Sequence, residues 1–482
     1  MAEATLLEPE LQQLECHFTW ELKKEDINIT DVLNRLEQHE ELGLGGKAGL
    51  AQTYNSLAFV KYLLGSPTAG IGLVHKSMEL TREWREDKCD KWLIVTYGNL
   101  AWLHHHIKAY SECESYLQKL REIGEKFPTD SPSTLHHEVL GEKAWAFFKF
   151  SRKYYERAEE CFKKALELEP RNPQWNTGYA FVLHRTELYG SVSSPENSPC
   201  VKQLRQAIDA DPENDELKAL LALRLCTFEQ YDEAESLVEK AVEGSPSAPN
   251  VIRHVGKYLR TYGCVDRSIA LLKRVLESSP NSGFLHHQLA LCYRKKKISL
   301  QKAVHQESPS AASQVEIQRL RQQCIYHLEK ATTLKSGFTN AMMELAVQYG
   351  EDNQLDRAEE MFQGTLQMAK EKNEFLQQVY VYYGEFQQYK KRCFPLALSY
   401  YKECLKMGHD SGHGKKSAIN LTKIADRSLL RDPQDAKAWG IRGFVYKEKG
   451  ENREALECYE KALQFNGNDE YLSALCELRL TL

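Results

Sequence analysis

AKAWGIRGFVYKEKGENREALECYEKALQFNGND, residues 436–469, carries the clearest structural signal in the chain. Trp439, Gly443, Tyr446, Ala455, Tyr459 and Ala462 stand at positions 4, 8, 11, 20, 24 and 27 of this unit. Small residues at such spacings let two helices approach closely. Large ones fill the space between one unit and the next. No stretch of the chain alternates apolar and polar residues as a half-buried strand does, so the expectation is an all-α protein.

The spacing is that of the 34-residue tetratricopeptide repeat. Laid along the rest of the sequence, the same ruler predicts repeats at about 51–84, 94–127, 139–172, 173–214, 215–248, 249–282, 283–338, 339–371 and 377–410, before the one at 436–469. Two of them are interrupted. A Ser/Pro segment, SVSSPENSP (Ser191–Pro199), enters the repeat at 173–214. A longer insertion, beginning KKKISLQKAVHQ and continuing ESPSAASQVE, enters the one at 283–338. Its first half suits a helix extension and its middle a loop. The reading is one superhelical array over 1–482, with the first helix of each repeat lining a concave groove that is positively charged.

Charge supports that groove. The chain has a formal net charge of −5, yet Val251–Lys302 holds eleven Lys or Arg against two acids, Asp266 and Glu277. Arg253, Lys257 and Arg260 share one helical stripe and fall at positions 5, 9 and 12 of their repeat, which face the concave wall. His287 and Arg294 fall at 5 and 12 of the following repeat, and Arg185 at 13 of the interrupted one. Lys149 stands at position 11, where a buried aromatic is usual. A stripe of Lys and Arg is ordinarily a solvated face. Charges of one sign facing into a groove instead imply an anion to meet them. With Trp145, Tyr155 and Phe284 nearby, the set suits single-stranded nucleic acid, in which Arg forks grip phosphate and aromatic faces stack bases. Trp145 and Tyr155 equally suit the core between repeats.

Other functions find less support. At 482 residues, 42% hydrophobic and 27% charged, the composition is that of a folded protein. No apolar run is long enough to span a membrane, and the acidic N-terminal stretch is not expected to be a signal peptide. Thirteen dispersed cysteines without a CxxC pair suggest a reducing compartment, and a cytoplasmic location is expected. No cofactor or metal is expected: His104–His106 are adjacent and point to different helix faces, and GHDSGHGKKS (Gly408–Ser417) misses the phosphate-loop spacing, although Lys415 and Lys416 could still meet a backbone phosphate. No nucleophile motif appears, so an enzyme is not expected.

CHFTW (Cys16–Trp20), AWAFFK (Ala144–Lys149), FLHHQLALCYR (Phe284–Arg294), GFVYKEKG (Gly443–Gly450) and ALCELRL (Ala474–Leu480) resemble the interferon-induced proteins with tetratricopeptide repeats, with the C-terminus most like the family's fifth member. The resemblance spans nearly the whole chain. It implies an antiviral protein that sequesters single-stranded RNA bearing a 5′-triphosphate or an incompletely methylated cap, without catalysis. It also implies related repeat proteins as possible partners. It matches RNA-contacting positions at Arg35, His39, Trp145, Lys149, Tyr155, Arg185, Arg253, Arg260, Phe284, His287, Gln288 and Lys302, to which the charged stripe adds Lys257 and its neighbour His254 as candidate RNA contacts. Lys149, Arg185, Arg253 and His287 would grip the 5′ phosphates and first nucleotides. Tyr155, Arg260, Gln288 and Lys302 would hold the following backbone and bases. Arg35 matches an arginine of cap-binding members, where the fifth member has a threonine. A phosphate-contacting glutamine falls on His39, or on Gln38 with one residue deleted, and Trp145 matches a tryptophan that stacks on a cap.

The chain also departs from the family pattern. Asn250 and His254 replace tyrosines, Glu216 replaces another aromatic, and Glu307 replaces a basic residue. Tyr459 and Leu463 have the spacing through which some relatives pair, but they also suit a repeat interior. The alternative reading is an innate-immune scaffold that binds protein partners. A chaperone-peptide binder is disfavoured because Lys143 is followed by Phe147 rather than Asn at the pairing position.

Overall fold

The structure is a computed structural model that describes residues 2–41, 43, 45–86, 89–129, 135–187, 192–306, 311–372, 375–466 and 469–481. Among these residues every regular element is helical. Antiparallel helix pairs recur from Gly46–Leu63 with Pro67–Arg85 to Ala436–Lys449 with Asn452–Phe465, followed by a final helix, Asp469–Thr481. The chain divides into two compact units, Met1–Tyr258 and Leu259–Leu482.

Each pair closes on the residues that the repeat spacing singles out. Ala158, Phe162 and Ala165 are fully buried, as are Ala455 and Ala462. Gly443 makes the approach possible in the last repeat, since a Cβ there would stand 3.0 Å from the Tyr459 ring. Caps set the helix starts. Asn172 accepts from the backbone N–H groups of Gln174 and Trp175 at 3.1 and 3.2 Å, with Pro173 as the first helical residue. Asp435 does the same for Lys437 and Ala438 at 2.9 and 3.2 Å. Each such cap contributes about 1 kcal/mol.

Both interruptions are stapled by a buried cation. In the first, the Pro173–Thr186 helix ends at Glu187. The Glu187 carboxylate accepts from Ser198 Oγ at 2.8 Å, from the Cys200 backbone at 3.0 Å and from the Arg224 guanidinium. Arg224 is 1% exposed. Although burial pushes the Glu187 carboxyl up, the Arg224 and Cys200 hydrogen bonds leave it below the usual range. The loop is thereby tied to the helix that carries Arg185. Ser191 lies outside the described residues.

In the second interruption the insertion lengthens both helices of its repeat, to Gly283–Gln306 and Ala311–Leu334. Lys297, wholly buried, donates to Gln348 at 2.8 Å and pairs with Glu351. Lys297 is therefore a scaffold residue. Lys296, beside it, pairs with Asp266 on the surface at 2.5 Å. Of the segment expected as a loop, residues 307–310, Glu307 among them, lie outside the described residues, whereas 311–316 already belong to the second helix.

Candidate functional site

Within residues 1–258 four helices far apart in sequence bring their cations together. Lys149, at the end of the His137–Phe150 helix, is only 9% exposed. Its ammonium donates to Thr53 Oγ1 at 3.3 Å and lies 5.7 Å from the Trp145 ring centre. Burial lowers its pKa to about 8, and the nearby Glu142 acts against that shift. Glu142 is itself pushed up to about 7 by burial, opposed by a 2.7 Å hydrogen bond from Asn55. Arg35, on the Ile29–Glu41 helix, donates to the Lys149 carbonyl at 3.0 Å. It thus satisfies one of the carbonyls left over at that helix end. Arg35 also pairs with Asp31 at 3.0 Å.

Arg185 comes from the Pro173–Thr186 helix. Its guanidinium keeps solvent access but is crowded enough that burial, together with the charges of Arg253, Arg152 and Arg35, lowers its pKa against the opposing Tyr155. Among the described residues no carboxylate pairs with Arg185 or with Lys149. Three histidines fill the space between the cations. His39 and His184 fall to about 3 and His254 to about 4, in each case chiefly through burial. All three are neutral at pH 7, so Lys and Arg supply the positive charge. Lys257 is exposed and adds to the field at His184 and His254.

One carboxylate sits among them. Glu216 accepts from Asn250 Nδ2 at 2.8 Å and from the Arg253 guanidinium at 2.8 Å, and lies 3.3 Å from His254 Nε2. Arg253 Nε also donates to His254 Nε2 at 3.1 Å. Although burial pushes the Glu216 carboxyl up, the nearness of His254, the charge of Arg253 and the hydrogen bond from Asn250 bring it down to about 2, so it stays ionised.

Residues 259–482 hold a second and more neutral cluster. Arg260 donates to Gln288 Oε1 at 2.6 Å. His287 is 8% exposed, and neither ring nitrogen has a protein partner. Burial and the neighbouring Arg260 lower its pKa to about 4. Its ring meets Phe338 edge-on at 4.7 Å, and Phe338 stacks on Phe284 at 6.4 Å. Arg294 is paired with Glu344 at 3.2 Å, and Lys302 is exposed.

A tetratricopeptide-repeat family signature matches residues 436–469 and 147–172. The human protein named Antiviral innate immune response effector IFIT1 is 34% identical over 462 residues, which cover 95% of this chain and 96% of the relative. This chain belongs to the interferon-induced proteins with tetratricopeptide repeats. Among solved structures, that of the human IFIT1 dimer with m7Gppp-AAAA matches with a TM-score of 0.81 at 33% identity, covering 96% of this chain and all of that one. The human IFIT1 dimer with PPP-AAAA matches with a TM-score of 0.77 at 32% identity, again over 96% of this chain.

Within this family framework the aromatic residues divide by packing. Trp145 is half-buried, its indole set edge-on to Phe148, Phe162 and Phe181 at 5.6–6.3 Å. Tyr155 stacks on Phe148 at 5.4 Å. Both belong to the inter-repeat packing while bordering Lys149 and Arg185. Tyr459 is 4% exposed and packs with Leu463 and Tyr471 in the C-terminal core, so its ring serves the repeat interior. Lys416 is paired with Glu385 at 2.8 Å. Among the described residues no His, Cys, Asp and Glu cluster suits a metal, and no helix is long and apolar enough to cross a membrane.

The sequence reading missed His184, Glu142 and Phe338. His184 falls at position 12 of its repeat, a concave position, so register could have found it. Glu142 and Phe338 carry no comparable signal.

Proposed function

We propose that this chain is an interferon-induced antiviral effector that holds single-stranded RNA by its 5′ phosphates, in the form of a triphosphate or an incompletely methylated cap, and acts by sequestration rather than catalysis. The observation that carries the reading is the pairing state of the cations in residues 1–258. Arg185 is crowded by other arginines with no carboxylate paired to it, and Lys149 is buried near Glu142 without an ion pair to it among the described residues. A polyanion would relieve that repulsion and receive charge-assisted hydrogen bonds. Lys149, Arg185 and Arg253 take the phosphates in this reading, with Arg35, His39, His254 and Lys257 around them and Trp145 and Tyr155 at the edge. In residues 259–482, Arg260, His287 and Gln288 offer hydrogen bonds, Phe284 offers a stacking face and Lys302 an exposed charge, groups suited to bases and sugar–phosphate rather than to a dense polyphosphate. Little sequence readout is expected, since phosphate contacts position a strand without reading it.

A reducing, cytoplasmic setting is part of the proposal, supported by thirteen free cysteines, eight of them buried. The test is a gel-shift titration at fixed salt of one short RNA with five 5′ ends: hydroxyl, monophosphate, triphosphate, unmethylated-ribose cap and methylated-ribose cap. Tight binding of the triphosphate or the unmethylated cap is expected. Equal affinity for all five would overturn the assignment of the 5′ end to the cation cluster.

A further inference from the structure

Glu216, Asn250 and His254 are each a departure from the family's aromatic pattern. In the fold they are not independent. Asn250 and Arg253 both donate to the Glu216 carboxylate at 2.8 Å, and Arg253 bridges to His254 at 3.1 Å. Three substitutions scattered over 39 residues of sequence thus form one polar unit around a single guanidinium. A carboxylate on an arginine is chemically what a phosphate on that arginine would be: two oxygens of one negative charge meeting planar N–H donors. Glu216 occupies Arg253, whereas among the described residues no carboxylate is ion-paired with Arg185 or Lys149.

We propose that Glu216 is a specificity-determining residue, a built-in counter-anion on Arg253 that disfavours RNA ends of the highest negative charge. The inference rests on the RNA-binding reading above. A free 5′-triphosphate ends in a terminal phosphate that carries more negative charge than a bridging one. To reach Arg253 it must displace Glu216 or lie against its charge. A cap, in which every phosphate is bridging, meets less repulsion at the same place. The site therefore accepts both ends but discriminates against the triphosphate more than its cations alone would dictate. Glu216 does this through Arg253, without touching the reacting or bound atoms in the manner of a donor.

The experiment is a titration of wild-type protein, Glu216→Gln, Arg253→Gln and the double variant with triphosphate, unmethylated-cap and 5′-hydroxyl forms of one short RNA, with thermal melts as the folding control. Glu216→Gln is expected to tighten triphosphate RNA about tenfold, to tighten capped RNA less, and to change 5′-hydroxyl RNA less than about threefold. In the Arg253→Gln background the gain disappears, because the two residues act as a pair. Weaker triphosphate binding by Glu216→Gln would mean that the carboxylate only positions Arg253, and would overturn the proposal. Unchanged binding would overturn it as well. If Glu216→Gln does not fold, the wild type alone decides. Triphosphate RNA should bind no more than about tenfold tighter than monophosphate RNA, and a ratio beyond about a hundredfold overturns the inference. Failure of every RNA to bind the folded wild type would instead sink the RNA reading and this inference with it.

Discussion

The two clusters on either side of residue 258 use the same amino-acid types to opposite ends. In residues 1–258 the cations exceed their partners: Lys149 is buried with a hydroxyl as its hydrogen-bond partner and Glu142 nearby but not ion-paired to it, and Arg185 faces other arginines. In residues 259–482 the cations are answered. Arg260 is bonded to Gln288, Arg294 to Glu344 and Lys297 to Glu351. A basic stretch in the sequence is therefore not one object. What separates ligand-seeking charge from scaffold charge is whether the fold has already supplied the acceptor, because a buried ion without one bears its full desolvation cost.

The largest test of that contrast concerns the staples. Arg224→Ala leaves Glu187 buried and ionised, and unfolding measurements should show a loss of about 3–5 kcal/mol. Lys297→Ala should cost less, because Glu351 is 35% exposed and water can take over its carboxylate. Equal losses would mean that exposure of the acid does not control the cost. Next come the ligand-seeking cations. Lys149→Ala should weaken triphosphate RNA by about 10- to 100-fold, as for loss of one charge-assisted hydrogen bond, while the melting temperature holds. Arg253→Ala should weaken it similarly but also lower the melting temperature, because Glu216 loses its partner. Unchanged affinity in both would remove the phosphate site from this cluster.

Gln288→Ala, in the answered cluster, removes a neutral acceptor. It should cost only about threefold to tenfold in RNA affinity by gel shift, and a larger loss would put the 5′ end there instead.

The smallest effect is a pH dependence. Because Lys149 titrates at about 8 rather than 10.5, the unfolded chain binds its proton more tightly over that window, so this group makes the protein more stable as pH rises from 8 to 10.5. RNA binding needs the charged form, so affinity should fall severalfold as pH rises through about 8. Lys149→Arg, which stays charged, should flatten that profile. An identical profile in the variant would show that another group controls it.

Legibility varied with the physics. The helix pairs were readable because their packing obeys a fixed spacing, as Gly443 against Tyr459 illustrates. Register alone put Arg253 and Arg185 in one candidate set, and the fold makes them electrostatic neighbours. Lys149 stood out as a charge at an apolar position, and the fold does bury it. Register could not say that Lys297, just beyond the repeat's usual helix end, is wholly buried, since that depends on which residues of later helices meet it. Nor could it separate Trp145 as a stacking platform from Trp145 as packing against Phe162, which is decided by ring positions.

The sequence by itself determined the all-α repeat architecture, its two interruptions and the family, and it named the candidate cations, because periodicity and register are properties of one chain read along its length. Only the tertiary structure decided which of those cations already have an acid. Glu216 and Arg253 are 37 positions apart and Lys297 and Glu351 54. Electrostatic pairing depends on ångströms in space, and the sequence orders these residues without measuring the distance between them.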